Sequence, residues 1–206
     1  MKVPAALVFA ALFAAGVRAG PDPPPVPLVS TRALLAKLRG AGRAEASVRL
    51  ERRDPLSGRT TVLRGRLVLE LPHFARLDLG DGQGLTLRED GGDWLQPATR
   101  QLIRAGARSA AGPLVWWGAL LDPGGGGLHE RKTGPREYVL LLPGAGEAMA
   151  QRMELGTDGL PRRLLVVPSP EDSVEYRIVR WRFAPARGRS GFVLETPPGF
   201  EVVELP

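Results

Sequence analysis

Gly65-Arg66-Leu67-Val68-Leu69-Glu70-Leu71-Pro72-His73-Phe74-Ala75-Arg76-Leu77-Asp78-Leu79 holds two alternating runs separated by a proline. Leu67, Leu69 and Leu71 alternate with Arg66, Val68 and Glu70, and Ala75, Leu77 and Leu79 alternate with Arg76 and Asp78. A period of two places each leucine row on one face of a strand. One apolar face and one charged face are the mark of an antiparallel sheet that is wet on one side.

The same pattern extends in both directions. Upstream, Leu63 and Gly65 continue the row, and Ala46, Val48 and Leu50 alternate with Ser47, Arg49 and Glu51 across a turn at Asp54–Gly58. Downstream, Gly80–Gly84 reads as a hairpin turn before Leu85 and Leu87, and Asp90-Gly91-Gly92 as another before Trp94. Further strands are expected at 128–132, 137–142, 150–155, 162–167, 174–183 and 191–195, with Val202 and Leu205 in a last edge segment. The expected fold is mainly β, an incomplete, half-open antiparallel barrel. Ser30 and Thr31 are candidate N-caps of a short helix over 31–39, with Leu34, Leu35 and Leu38 on its apolar side. The segment 110–121 breaks the strand pattern. Leu114, Val115, Trp116, Trp117, Ala119, Leu120 and Leu121 form an uncharged patch that must be buried or face something apolar. Gly124–Gly127 follow it as a hinge.

The N-terminus reads as a secretory signal. Lys2 precedes an apolar run to Val17, and Val17-Arg18-Ala19 predicts cleavage after Ala19. The run is short for a membrane span of about 20 residues. Residues 20–29 form a Pro-rich linker, with five prolines between Gly20 and Pro27. Residues 30–206 are expected to make one domain. The chain has no cysteine, so it has neither disulfides nor a lipid-anchor site, and an apolar core must carry its stability. Its formal charge of +6 comes mostly from arginine. Without a basic run interleaved with aromatics, arginines on solvated strand faces are the favoured reading, and no nucleic-acid partner is expected.

No catalytic constellation emerges. His73 and His129 are far apart, too few for a His/Cys metal site, and no Gly-x-Ser-x-Gly elbow occurs. The glycines of 80–84 lack the lysine and helix start of a phosphate loop. Asp78, Asp81, Glu89, Asp90 and Asp93 lie in or beside predicted turns, where aspartate serves local backbone hydrogen bonding. No enzyme activity, cofactor or metal is expected.

Four pieces, in order, resemble the LolA-type periplasmic carriers of outer-membrane lipoproteins. They are Leu34-Leu35-Ala36-Lys37-Leu38 with the strand at 44–53; Gly65 to Phe74; Asp90-Gly91-Gly92-Asp93-Trp94-Leu95-Gln96-Pro97; and Phe192 with Thr196-Pro197-Pro198-Gly199. Thr157-Asp158-Gly159-Leu160-Pro161 also sits where that family has a hairpin. The resemblance spans about 34–205. It implies a lid helix over a concave apolar face, acyl-chain cargo carried between inner and outer membrane, and transient contact with an inner-membrane release complex and an outer-membrane acceptor. A monomer is expected. The family's arginine before the second-piece proline, implied to latch the lid, is Leu71 here. Arg76 alternates onto the opposite face and does not inherit that role. RseB-like sensors and carriers of other lipids or glycolipids share the fold and stand as alternatives.

The expected lipid-contacting residues are Leu67, Leu69, Leu71, Leu77, Leu79, Trp94, Leu114, Trp116, Trp117, Leu120 and Leu121. Whether 110–121 is a mobile lid or a fixed core plug stays open at this level.

Overall fold

The computed structural model describes residues 28–53, 58–106, 115–121, 128–141, 150–169 and 172–205. The expected signal sequence, the prolines of 20–27, Leu114 and Gly124–Gly127 lie outside the described residues. Helix α1 spans Arg32–Ala41. Six strands follow: β1 Arg43–Arg53, β2 Thr60–Glu70, β3 Phe74–Leu79, β4 Gly84–Arg88, β5 Gly91–Gln96 and β6 Gln101–Gly106. Helix α2 covers Val115–Leu121. The remaining strands are β7 His129–Lys132, β8 Glu137–Leu141, β9 Gln151–Leu155, β10 Pro161–Ser169, β11 Asp172–Ala184 and β12 Glu201–Leu205.

All twelve strands form one open sheet, in the order β12-β6-β5-β4-β3-β2-β1-β11-β10-β9-β8-β7. Every pairing is antiparallel except that of β12 with β6. The leucine rows that define the fold meet directly: Leu67 opposes Leu77 and Leu69 opposes Ala75. With Ala46, Val48, Tyr176 and Leu164 they make one buried face. Both helices pack on that face, through Leu34, Leu35 and Leu38 of α1 and Trp117, Leu120 and Leu121 of α2.

Several local expectations change. Thr31 is the N-cap residue of α1, but its side chain caps no helical N–H; its Oγ1 donates to the Leu28 carbonyl instead. The Glu130 carboxylate accepts from the Val29 and Ser30 amides at 3.0 and 2.9 Å, and Leu28 is buried in the core. Residues 28 and 29 of the expected linker are therefore tied to the domain. Gly91 and Gly92 lie inside β5 rather than in a turn, because a glycine-sized gap is needed there beside β4 and β6. Strand β6 carries no clear alternation and escapes the sequence reading. The expected strand at 191–195 is absent. Arg189–Phe192 is a 3-10 turn, and the chain around it crosses the sheet as a strap.

That strap has a sequence-level cause. Its backbone is satisfied by side chains of the outer face rather than by a ladder. Glu70 accepts the Arg187 and Gly188 amides, Arg76 donates to the Gly191 carbonyl, and Arg88 donates to the Phe192 carbonyl at 2.9 Å. Asp93 accepts the Leu194 amide at 3.1 Å. Beneath it Phe192, Leu194 and Leu102 are buried apart from the main core, with the Phe192 ring 5.3 Å from that of Phe74. The C-terminal segment thus closes a second apolar layer on the back of the sheet.

Ion pairs such as Glu45 with Arg66 and Glu175 with Arg163 and Arg177 cross part of the outer face beyond the strap. The Glu175 carboxyl lies below the usual glutamate range, first because Arg163 donates to it and then because Arg177 does too, against the opposing effect of burial. A carboxyl depressed by folding stabilises the native state above its unfolded pKa of about 4.3 and loses that contribution as pH falls through the folded value. Thermal melts of the Glu175→Gln variant are therefore expected to lose less stability than the parent between pH 5 and 3. Parallel acid limbs for the two proteins would contradict this.

Candidate functional site

The covered inner face is the part of the molecule with functional potential. Leu67, Leu69, Leu77 and Trp117 are wholly buried there, Leu120 and Leu121 nearly or wholly so. Leu71, Leu79, Trp94 and Trp116 are partly buried and pack against the same cluster. So ten of the expected residues that fall within the described regions belong to one apolar body. Leu114 lies outside the described residues.

Cross-strand register explains the arrangement. Leu77, Leu85, Trp94 and Ile103 stand in one row across β3–β6. Ala75, Leu87, Gly92 and Ala105 stand in the next. Small residues in this second row leave room for α2. At Gly118 a Cβ would sit 2.4 Å from Leu87 Cδ2, so α2 rests closely on β4, and a larger residue there would require the Leu87 side chain to move.

The packing of α2 is apolar and aromatic throughout. The Trp117 ring meets Tyr176 edge-on at 5.9 Å and Trp181 at 6.4 Å. Such aromatic pairs favour these offset and perpendicular geometries. Sequence reasoning does not single out Tyr176 and Trp181. Their signal is a parity change in β11: Val174, Tyr176 and Ile178 point inward, then Trp181 and Phe183 do. A bulge between the Ser47 and Val48 partners absorbs the shift. Burial drives the Tyr176 phenol far above the ordinary tyrosine range, so it stays protonated.

Two polar facts define how α2 is held. The helix, Val-Trp-Trp-Gly-Ala-Leu-Leu, has no charged side chain. The buried Trp117 Nε1 has no hydrogen-bond partner among the described residues. An unpaired buried donor costs about 1–3 kcal/mol. Among the described residues the helix is therefore held by apolar contact, with the unpaired Trp117 donor as a polar cost of its seated position. Leu71 packs against the core, and Arg76 is committed to Asp78 and the strap on the other face. Neither latches α2.

Four of the five carboxylates considered from sequence are occupied elsewhere. Asp93 is not a turn residue; it is buried in β5 and paired with Arg88 at 2.8 Å. Asp78 pairs with Arg76, Asp90 with Arg88 and Arg189, and Asp81 accepts from Gln83. An open depression of about 450 Å³ beside the strap is lined by Arg88, Asp90, Asp93, Arg104 and Glu204 among others. Its charges are paired across it, including Arg104 with Glu204 at 3.8 Å. Among the described residues no helix is long and apolar enough to cross a membrane.

No protein-family model matches the chain, and no curated protein matches it. Solved structures do resemble it. One is an uncharacterized conserved protein from Thermus thermophilus, 14% identical with a TM-score of 0.48, covering 85% of this chain and 99% of that one. Another is a putative outer membrane lipoprotein-sorting protein domain from Vibrio parahaemolyticus, 13% identical with a TM-score of 0.46, covering 80% and 94%. A third is a LolA superfamily protein from Nitrosomonas europaea, 9% identical with a TM-score of 0.42, covering 80% and 97%.

Proposed function

We propose that this protein is a periplasmic carrier that binds the acyl chains of lipoproteins or related lipids between its concave sheet face and helix α2. One observation carries the reading: among the described residues, α2 is held over an apolar face by apolar contact, with no ionic latch and one unpaired buried donor. An acyl chain can replace such contacts in kind. Burying each CH₂ yields about 0.8 kcal/mol, so a long chain supplies on the order of 10 kcal/mol to displace the helix. Release then requires only that α2 recapture the same surface. The sequence resemblance to LolA-type carriers and the predicted signal at Lys2–Ala19 support the periplasmic setting. No step in this cycle calls for catalysis.

The absence of native cysteine makes a direct test available. The Gly118 Cβ position lies 3.7 Å from Leu87 Cγ, so the double variant Gly118→Cys, Leu87→Cys can tie α2 to β4. The parent protein is expected to bind a fluorescent fatty acid saturably. The oxidised variant should lose most of that binding and regain it on reduction. Equal binding by the oxidised and reduced forms would show that acyl binding does not require α2 to leave the sheet. A charge at Leu69 would be a poor probe, because that wholly buried side chain is needed for folding.

A further inference from the structure

The outer face beyond the strap bears an arrangement that folding alone disfavours. Arg64 of β2 opposes Arg49 of β1, Arg49 opposes Arg177 of β11, and Arg177 opposes Arg163 of β10. Four arginines thus stand in one cross-strand row, about 5 Å apart at each step, where like charges destabilise one another. Arg49, Arg177 and Arg163 are each about half exposed. Arg180 and Arg182 extend the patch opposite Ser47 and Glu45.

Neutralisation is incomplete. Glu51 serves Arg49 and Arg177, Glu175 serves Arg163 and Arg177, and Glu45 serves Arg66 and the buried Arg43. Arg64, Arg180 and Arg182 enter no ion pair among the described residues. Two exposed valines lie in the same strands: Val62 opposite Glu51, and Val179, 70% exposed at the β11 bulge beside Arg180. The aromatic side chains of β11 all turn inward to the core.

We propose that this face docks the protein on an anionic phospholipid surface. Spread arginines attract a negatively charged headgroup layer, and exposed valines suit its apolar boundary. A single-stranded nucleic acid would instead want aromatic platforms, which this face lacks. The docking uses the side of the sheet opposite α2, so it stands or falls separately from acyl binding.

Vesicle flotation tests it. The mature protein should float with phosphatidylglycerol-containing vesicles and not with pure phosphatidylcholine, and high salt should release it as the Debye length shrinks to about 3 Å at 1 M. The triple variant Arg64→Gln, Arg180→Gln, Arg182→Gln should bind about fivefold more weakly per arginine, roughly a hundredfold in all. These side chains hold no ion pair among the described residues, so the melting temperature should not fall. Unchanged vesicle binding by the triple variant, or binding indifferent to lipid charge, would overturn the proposal. So would tighter binding to a single-stranded oligonucleotide than to the anionic vesicles.

Discussion

Replacing Asp93 by alanine is expected to lower the unfolding free energy by about 3–5 kcal/mol, the cost of leaving a buried charge without its partner. The Asp93 carboxylate is 2% exposed and accepts from Arg88 through both oxygens, at 2.8 and 3.2 Å. It also accepts the Leu194 amide, while its own amide donates to Thr86 Oγ1. Burial works against the charged form of Arg88, but Asp93 and then Asp90 more than offset it and hold the guanidinium above the ordinary arginine value. Alanine at 93 removes that support and orphans the strap amide together. Urea denaturation measures the loss, and limited proteolysis should show early cleavage in 185–200. The Asp93→Leu, Arg88→Leu double variant should be less destabilised than the single alanine, since a buried pair can be exchanged for apolar bulk at small cost. A single variant within about 1 kcal/mol of the parent would mean that the pair does not clamp the strap.

Gly91→Ala is expected to cost about 3 kcal/mol or more. Gly91 has φ +141°, and a Cβ there would lie 2.0 Å from the Ala105 carbonyl oxygen. The obstacle is backbone in β6, so no rotamer relieves it; β5 and β6 must part at that end. Gly188→Ala provides the control. It also has positive φ, 75° with ψ −177°, but nothing within 4 Å, so only the conformational strain of that glycine-favoured region, about 1–3 kcal/mol, applies. Calorimetric melts that rank the two variants equally would remove the steric argument. Hydrogen exchange in Gly91→Ala should rise first in β5, β6 and β12.

The two predictions mark the limit of what alternation reveals. Rows such as Leu67-Leu69 and Leu77 are legible because a period of two writes the buried face into the sequence. Helix α1 is legible from its leucine spacing, and the apolar character of α2 from the absence of charge. Residues acting across the sheet are not. Asp93 resembles one more turn aspartate beside two glycines, although its partners include Leu194, a hundred and one positions later. Phe192 and Leu194 look like a strand because a strap and a strand share extended, alternating chemistry. Only the outward polar side chains waiting for its backbone distinguish the two. Likewise the arginines of β1, β2, β10 and β11 read singly as solvated; their alignment is a property of register. The aromatic bed under Trp117 is hidden by the β11 bulge, which inverts inward and outward positions midway along the strand.

The parallel pairing of β12 with β6 joins Glu201 to Gln101 across a hundred positions, the longest-range seam in this half of the sheet. Contacts of such separation form late, because loop closure must precede any reward. Before the seam forms, β6 presents a bare row of amides and carbonyls, the surface on which foreign strands add. Docking of β12 covers that row and leaves β12 itself, with the charged Glu201 and Glu204, as the border of the sheet. How long β6 stays bare is set by how quickly the five residues of β12 find it.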